Sequence, residues 1–117
     1  MSSEADCLFC GIVEGRIPAD LVREDDHTVA FKDINPQAPV HVLVIPRKHM
    51  PSLDVSEPDD QALLGELLLR ARDVARAEGI AESGYRTVVN TGDHGGQTVD
   101  HLHVHVLGGR AMQWPPG

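Results

Sequence analysis

Three histidines alternate with apolar residues near the end of the chain, in the segment His101-Leu102-His103-Val104-His105-Val106. Successive side chains of a β-strand point to opposite faces, so a strand here would place the three imidazoles on one face. Imidazole can act as a nucleophile, an acid, a base or a metal ligand near neutral pH. Repeated histidine on one strand face therefore indicates a reactive site rather than a solvated polar surface.

A fourth histidine, His41, lies in the apolar run Val40-His41-Val42-Leu43-Val44-Ile45 between two prolines. This run predicts a central strand covered on both faces. A lone histidine in such a strand is more often a core residue that hydrogen-bonds a backbone carbonyl. Next to a strand that carries three histidines, a functional role for His41 is favoured.

The loop at residues 90–98 precedes the histidine segment and carries neutral hydrogen-bond donors. Its Gly95-Gly96 pair would let backbone N–H groups approach an oxyanion closely. Asn90, Gln97 and Thr98 would add side-chain donors. We therefore expect a phosphate to bind between this loop and the histidines, without a cluster of arginines.

The remaining pattern predicts the elements that must position these groups. Strands are expected at residues 21–24, 28–32, 40–45, 85–90 and 101–107. A short helix is expected at residues 8–13, and a long amphipathic helix at residues 57–78 with Ser56 as its N-cap. This order predicts the α+β class, with an antiparallel sheet that has the long helix on one face.

Composition limits the class of protein. The chain has 117 residues and a formal net charge of −8, which argues against a nucleic-acid or anionic-membrane partner because both need a basic face. The length fits one domain spanning residues 1–117. No apolar run approaches 18 residues, and the acidic residues 1–6 contain no apolar signal segment. We expect a cytoplasmic protein.

These motifs together resemble the histidine triad (HIT) superfamily, whose signature alternates histidine with hydrophobic residues as residues 101–106 do. The likeness covers nearly the whole chain, through three further segments in the family's order: Asp33-Ile34-Asn35-Pro36-Gln37-Ala38-Pro39, His41 through Pro46-Arg47-Lys48-His49, and Gly95-Gly96-Gln97. The ending at residues 107–117, with Trp114-Pro115-Pro116-Gly117, resembles the Hint branch, the histidine triad nucleotide-binding proteins. The resemblance implies the HIT fold, with a five-stranded antiparallel sheet, one long and one short helix, and a homodimer with a ten-stranded sheet.

The resemblance also implies an activity, the hydrolysis of purine nucleoside phosphoramidates or acyl-nucleotides with release of AMP or GMP. His103 would be the nucleophile of a covalent nucleotidyl-histidine intermediate, with no catalytic metal, and His41, His101 and His105 would support it. The remaining nucleotide contacts implied are Asp33 on the ribose, Phe9, Ile12, Phe31 and Ile34 around the base, Asn90, Gly96, Gln97, Thr98, His103 and His105 around the phosphate, and Trp114 across the dimer interface. Hint proteins often have serine where Thr98 stands, and the hydroxyl donor is retained.

A C-x-x-C pair, Cys7-Leu8-Phe9-Cys10, is able to hold a metal ion from a turn. Many Hint proteins lack it. Other HIT proteins and the hexose-1-phosphate uridylyltransferases resemble this chain here, with the pair joined to two later histidines around zinc. The resemblance implies a structural zinc held by Cys7, Cys10, His49 and His101, which would remove His101 from acid–base work. The alternative is two buried, reduced thiols without a metal.

Three other functions remain open at this point. A non-catalytic nucleotide-binding or scaffolding dimer would retain the pocket but would need no nucleophile. A dinucleoside polyphosphate hydrolase is disfavoured by the ending at Trp114-Pro115-Pro116-Gly117. A zinc-binding structural domain would leave His103 and His105 unexplained. A nucleotide hydrolase is therefore the leading hypothesis.

Overall fold

One antiparallel sheet organises residues 6–117, which are the residues that the computed structural model describes. Its spatial order is β1-β2-β3-β5-β4. The strands are β1 (Leu21–Glu24), β2 (Thr28–Lys32), β3 (Val40–Pro46), β4 (Tyr85–Val88) and β5 (Val104–Gly108). The helices are α1 (Leu8–Val13), α2 (Gln61–Ala77) and the four-residue α3 (Gly92–Gly95). Two 3₁₀ turns, Leu53–Val55 and Pro58–Asp60, precede α2. The predicted α+β class and five-stranded sheet are confirmed.

The sheet is covered on both faces. On one face, apolar side chains of β3 and β5 pack against α2, and this core includes Val42, Val44, Val104, Val106, Leu67, Ala71 and Val74. On the opposite face, a second core joins α1 to β2 and β3 and includes Phe9, Cys10, Phe31, Leu43 and Ile45. The strand β3 is thus buried on both sides, as its apolar run predicts, and each fully buried aliphatic side chain contributes roughly 1.5–3 kcal/mol.

The register of β3 and β5 determines where the histidines lie. Leu43 pairs with His105, and Val44 pairs with Val104. Leu102, Val104 and Val106 face α2, whereas the ring of Phe9, on the α1 side, packs edge to face against His103 with ring centroids 5.2 Å apart. The expected alternation therefore places His103 and His105 on the α1 side of the sheet.

Two strands are shorter than predicted. The strand β5 begins at Val104 instead of residue 101, and β4 ends at Val88 instead of residue 90. The neighbouring strand β3 ends at Pro46, which has no N–H to continue a ladder. The carbonyl of Pro46 accepts a hydrogen bond from the ring Nε2 of His101 (2.9 Å). The chain before β5 is therefore held by the bond of the His101 ring and by the bond from the Leu102 N–H to the Met50 carbonyl, and not by the predicted continuation of the strand.

The start of the long helix also differs from the prediction. Ser56 is not the N-cap, because its hydroxyl and its N–H both bond back to the carbonyl of Leu53. A capping box formed by Glu57 and Asp60 begins a 3₁₀ turn that leads into α2. The side chain of Asp60 also accepts from Lys48 Nζ at 2.8 Å. These bonds satisfy N–H groups that the first turn of a helix would otherwise leave without partners.

Within residues 6–117, no helix combines the length and the apolar character needed to cross a bilayer. The expectation that the chain begins without a signal segment concerns residues 1–6, and five of these lie outside the described residues.

Candidate functional site

A cavity of about 260 Å³ lies on the α1 side of the sheet. Most of its wall is apolar, and its polar side chains are those of Lys32, Asp33, Thr98, His103 and His105. A largely apolar cavity with a few convergent polar groups is typical of a site for a small molecule. The full set of lining residues is Leu8, Phe9, Ile12, Ile17, Pro18, Ala19, Phe31, Lys32, Asp33, Ile34, Leu43, Thr98, Val99, His103 and His105.

His103 lies in the cavity wall with its ring orientation held from two sides. Its Nδ1 lies 2.7 Å from the backbone carbonyl oxygen of His101, and because a carbonyl only accepts, Nδ1 carries the proton and donates it. The neutral ring then has its lone pair at Nε2, for which the described residues provide no hydrogen-bond partner. The ring of Phe9 packs against that of His103 at an interplanar angle of 89°. The ring of His103 is thus held in one orientation, with Nε2 left without a partner among the described residues.

His41 and His105 form a directly hydrogen-bonded pair, with 2.9 Å between His41 Nε2 and His105 Nδ1. The backbone N–H of Gln37 donates to His41 Nδ1 at 3.0 Å. His41, when neutral, must therefore carry its proton at Nε2 and donate it to His105. Asp33 Oδ2 lies 3.4 Å from the same His41 nitrogen.

Burial keeps several of these rings neutral. The pKa of His105 is lowered from 6.5 to about 4 by burial, with further lowering from the neighbouring rings of His103 and His41 against an opposing effect of Asp33. Burial also lowers the pKa of His41. The pKa of His101 is lowered to about 4 because its ring is buried. Burial thus disfavours a positive charge on both His41 and His105.

The lowered pKa of His105 predicts that stability decreases in acid. In the unfolded chain this histidine takes up a proton below about pH 6.5, whereas in the folded protein it stays neutral down to about pH 4. The unfolded state therefore binds more protons across this interval, and the free energy of unfolding falls as the pH falls through it. Urea unfolding at several pH values should show this slope, and His105→Gln should reduce it. An equal slope in the variant would contradict the assignment.

The structure brings eight of the residues predicted to bind a nucleotide to this one cavity. They are Phe9, Ile12, Phe31, Asp33, Ile34, Thr98, His103 and His105. Asn90, Gly96, Gln97 and Trp114 do not line it within the single chain, and Trp114 is 82% exposed. His41 does not line the cavity but contacts two residues that do, His105 and Asp33.

The loop at residues 90–98 contains a short helix, and several of its hydrogen-bond donors bond to carbonyls of the protein. Residues Gly92–Gly95 form α3, and the N–H groups of Gly96 and Gln97 bond back to Asp93 and Gly92. The side-chain amide of Gln97 donates to the carbonyls of Pro51 (2.7 Å) and Val99 (3.0 Å). Gly96, with φ of +82°, ends the short helix in a left-handed conformation that suits glycine. These bonds fix the part of the loop that precedes Thr98.

His101 is predicted as a supporting catalytic residue, but its ring does not reach the cavity. The ring is completely buried, its Nε2 donates to the Pro46 carbonyl, and its Nδ1 lies 3.3 Å from Cys7 Sγ. Its contribution to the cavity is its backbone carbonyl, which holds His103. The side chain instead belongs to a second cluster.

That second cluster consists of Cys7, Cys10, His49 and His101, whose ligand atoms all lie within 4.8 Å of one another. His49 Nδ1 is 3.3 Å from His101 Nδ1, and Cys10 Sγ is 3.2 Å from His49 Nδ1 and 3.6 Å from His101 Nδ1. A tetrahedral zinc ion separates two nitrogen ligands by roughly 3.3 Å and a nitrogen from a sulfur by roughly 3.5 Å, given its bond lengths. The four side chains fit a zinc ion.

The surroundings of the cluster also suit a metal. The bond from His101 Nε2 to the Pro46 carbonyl leaves the lone pair of Nδ1 facing the cysteines, which is the usual outer-shell arrangement of a metal-bound histidine. The N–H of Cys10 donates to Cys7 Sγ at 3.3 Å. Both cysteines are buried and not disulfide-bonded.

Part of the cavity wall was not predicted from the sequence. Ile17, Pro18 and Ala19 lie in the segment between α1 and β1 and have no reactive groups. A Cβ on Gly11 would lie 2.4 Å from Ile17 Cδ1, so glycine at this position lets the segment return against α1. The apolar character of residues 17–19, outside any predicted helix or strand, was the one available indication.

The structure is that of an α+β protein in which a cavity lined by histidines lies next to a cluster of two cysteines and two histidines. The chain belongs to the HIT domain family, whose family model matches residues 14–112. That match begins beyond Cys7 and Cys10, so the cysteine pair lies outside the segment that the family model covers.

Three similar proteins illustrate the relationship. The chain is 55% identical over 112 residues to an uncharacterized HIT-like protein of Synechocystis sp., covering 96% of this chain and 97% of that one. A HIT family hydrolase from Legionella pneumophila superposes with a TM-score of 0.93 at 53% identity, covering 95% and 99% of the two chains. A histidine triad nucleotide-binding protein from Candida albicans superposes with a TM-score of 0.79 at 33% identity, covering 93% and 82%.

Proposed function

We propose that this protein hydrolyses purine nucleoside phosphoramidates or acyl-nucleotides and releases a nucleoside monophosphate through a covalent nucleotidyl-His103 intermediate. The observation that carries the proposal is His103 in the cavity wall, with Nδ1–H bonded to the His101 carbonyl and Nε2 free. The names of two relatives, a HIT family hydrolase and a histidine triad nucleotide-binding protein, support a hydrolase that acts on nucleotides. The ending of the chain supports the Hint branch.

In the first step, the lone pair of His103 Nε2 forms a bond to the α-phosphorus while the bond from phosphorus to the leaving group breaks. The leaving amine keeps the electron pair and takes up a proton from water. The ring, now bonded to phosphorus at Nε2, becomes an imidazolium, whose Nδ1–H bond to the His101 carbonyl stabilises the new charge. Attack by a positioned nucleophile splits one difficult displacement into two easier ones.

In the second step, water attacks the same phosphorus and the bond to Nε2 breaks. The electron pair returns to the ring, the proton of water goes to the solvent, and the nucleoside monophosphate leaves. Both steps are in-line displacements that depend on positioning and on donors directed at the phosphoryl oxygens. His105 and the Thr98 hydroxyl are the cavity groups suited to that task.

The shape of the cavity suggests how the nucleotide is oriented. The base would lie among the apolar side chains of Phe9, Ile12, Phe31 and Ile34, and the ribose hydroxyls would bond the Asp33 carboxylate. Asn90, Gly96 and Gln97 would then act from outside the cavity lining, where the bonds of Gly96 and Gln97 hold the loop that carries Thr98. His41 would act through His105.

Cys7, Cys10, His49 and His101 would hold a structural zinc, which ties α1 to the chain that carries His103 when it is bound. We propose no catalytic metal. Because the ring of His101 would bind zinc, His101 would affect the cavity only through its backbone carbonyl, which accepts the hydrogen bond from His103 Nδ1.

We further propose one HIT domain spanning residues 1–117, acting as a cytoplasmic homodimer whose two sheets join through β4. This strand is an edge of the sheet, whereas the other edge strand, β1, is interrupted between Leu21 and Arg23 by a register shift that discourages pairing. Arg86 of β4 donates to the carbonyl of Gln113 at 2.7 Å, which holds the tail beside that edge. Trp114 would then reach the partner's cavity.

The test is incubation of the purified protein with adenosine 5′-phosphoramidate. We expect AMP to be released, and intact-protein mass spectrometry of quenched samples should show an adduct of the adenylyl group. Diadenosine polyphosphates in the same assay should turn over more slowly, and faster turnover would favour the polyphosphate hydrolase. Binding of AMP with unchanged phosphoramidate would instead favour a non-catalytic nucleotide-binding protein.

A further inference from the structure

A backbone group outside the cavity begins the hydrogen-bond chain that ends at His105. The N–H of Gln37 donates to His41 Nδ1, and Gln37 itself is exposed and does not line the cavity. His41 Nε2 then lies 2.9 Å from His105 Nδ1. The second nitrogen of His105, Nε2, is buried and has no partner among the described residues.

We propose that the Gln37 peptide N–H is a positioning group that sets the tautomers of His41 and His105, so that His105 offers a neutral Nε2–H donor to an anionic oxygen in the cavity. This inference rests on the proposed function for the identity of that oxygen, a phosphoryl oxygen of the nucleotide. The tautomers themselves follow from the geometry of the free protein.

The assignment follows from counting protons. A neutral imidazole has one N–H, and a nitrogen that accepts a hydrogen bond cannot carry it. His41 accepts at Nδ1 from Gln37, so its proton is on Nε2 and is donated to His105 Nδ1. His105 therefore accepts at Nδ1 and carries its own proton on Nε2. If His41 Nδ1 carried the proton instead, His41 Nε2 would accept from His105 Nδ1, and His105 Nε2 would have no proton to donate.

The peptide of Gln37 is held in place by several bonds, so that its N–H has one direction. The side-chain amide of Gln37 donates to the carbonyl of Asn35 at 3.0 Å, and the Asn35 N–H donates to Asp33 Oδ1 at 2.8 Å. The guanidinium of Arg110 reaches the Gln37 carbonyl at 3.1 and 3.3 Å. The segment is thus connected to the end of β5 as well as to its own turn.

Gly109 makes the connection to Arg110 possible. It has a φ of +88°, and a Cβ at this position would lie 2.9 Å from Cβ of Pro39. Glycine therefore lets the chain after β5 turn closely beside the segment that contains Gln37. The position of Arg110 next to Gln37 depends on that turn.

The chemical consequence is a fixed role for His105. With its Nδ1 lone pair occupied by His41, it neither removes nor supplies a proton and donates the same hydrogen bond in both displacements. Such a donor stabilises charge that develops on a phosphoryl oxygen, because its direction is set before the reaction begins. The proton for the leaving group must then come from water or from a hydroxyl such as that of Thr98.

The decisive measurement is ¹⁵N NMR of the histidine rings in the free protein, which distinguishes the two neutral tautomers without any turnover. At pH 7.5 we expect protons on Nε2 of His41 and His105, and on Nδ1 of His103. A proton on Nδ1 of His41 or of His105 would overturn the inference. Absence of phosphoramidate turnover would count against the proposed function but would leave this result unchanged.

A matched pair of variants tests the role of the N–H. Gln37→Ala removes the side-chain bond to Asn35 but keeps the backbone N–H and the two bonds from Arg110 to the Gln37 carbonyl, so the tautomers should be unchanged. Gln37→Pro removes the N–H, so His41 should gain the Nδ1–H tautomer and kcat should fall at least about tenfold, with a smaller change in KM. Unchanged tautomers and kcat in a folded Gln37→Pro variant would overturn the inference. If that variant fails to fold, the wild-type spectrum still decides.

Discussion

Replacement of His103 by alanine is expected to lower the rate of AMP release from adenosine 5′-phosphoramidate by at least about a thousandfold, as loss of a covalent nucleophile does in other enzymes. The affinity for AMP should change only a few-fold. The base and ribose contacts proposed for Phe9, Phe31 and Asp33 do not involve the imidazole. The measurements are steady-state turnover and calorimetric titration with AMP.

His94→Ala is a matched control for this substitution. His94 lies in the exposed turn of α3 and does not line the cavity, so the same chemical change there should leave turnover nearly intact. The covalent adduct should be present in the control and absent from the His103 variant. Equal turnover by the His103 variant would defeat the nucleophile assignment.

Loss of one cysteine of the second cluster is expected to remove zinc and to lower stability. Elemental analysis should find one zinc per chain in the wild-type protein and much less in Cys7→Ser. A ligand present at a thousand times its dissociation constant stabilises the folded state by about 4 kcal/mol, and we expect a decrease of that order in the free energy of unfolding. Urea unfolding with and without a chelator measures it.

Serine is an informative replacement at this position. Cys7 is the N-cap of α1, where its sulfur accepts from the Cys10 N–H. A serine hydroxyl caps a helix well, so a loss of stability would come from the metal site and not from the cap. The chelator should destabilise the wild-type protein and have little effect on the variant. A wild-type protein that contains no zinc and does not respond to the chelator would leave two buried thiols as the correct description.

The zinc site and the proposed nucleophile share two structural elements, so the two experiments are connected. The helix α1 carries both cysteines and also Phe9, which packs against His103. His101 supplies a ring nitrogen to the metal cluster and its carbonyl to His103 Nδ1. Zinc removal should therefore also weaken AMP binding, and this effect should accompany the loss of stability.

The sheet was predictable because its strands have distinct burial patterns. The run of apolar residues in β3 is buried on both faces, and alternation in β5 sends Val104 and Val106 to one face and His105 to the other. The exact start of β5 was not predictable, because it depends on the Pro46 carbonyl being taken by the ring of His101. Such a side-chain bond spans 55 residues and leaves no periodic signal.

The chemistry of the site likewise depends partly on the sequence and partly on the tertiary structure. The sequence by itself determined which groups were available: alternating imidazoles, a cysteine pair and a nearby carboxylate, since residue type and a period of two suffice for that. The tertiary structure alone decided which ring nitrogens of His41, His101 and His103 meet a backbone donor or acceptor, that His101 turns away from the cavity, and that Gln37 directs its N–H at His41. Those properties depend on distances between residues far apart in the chain, which form only when the packed sheet brings its strands and loops together.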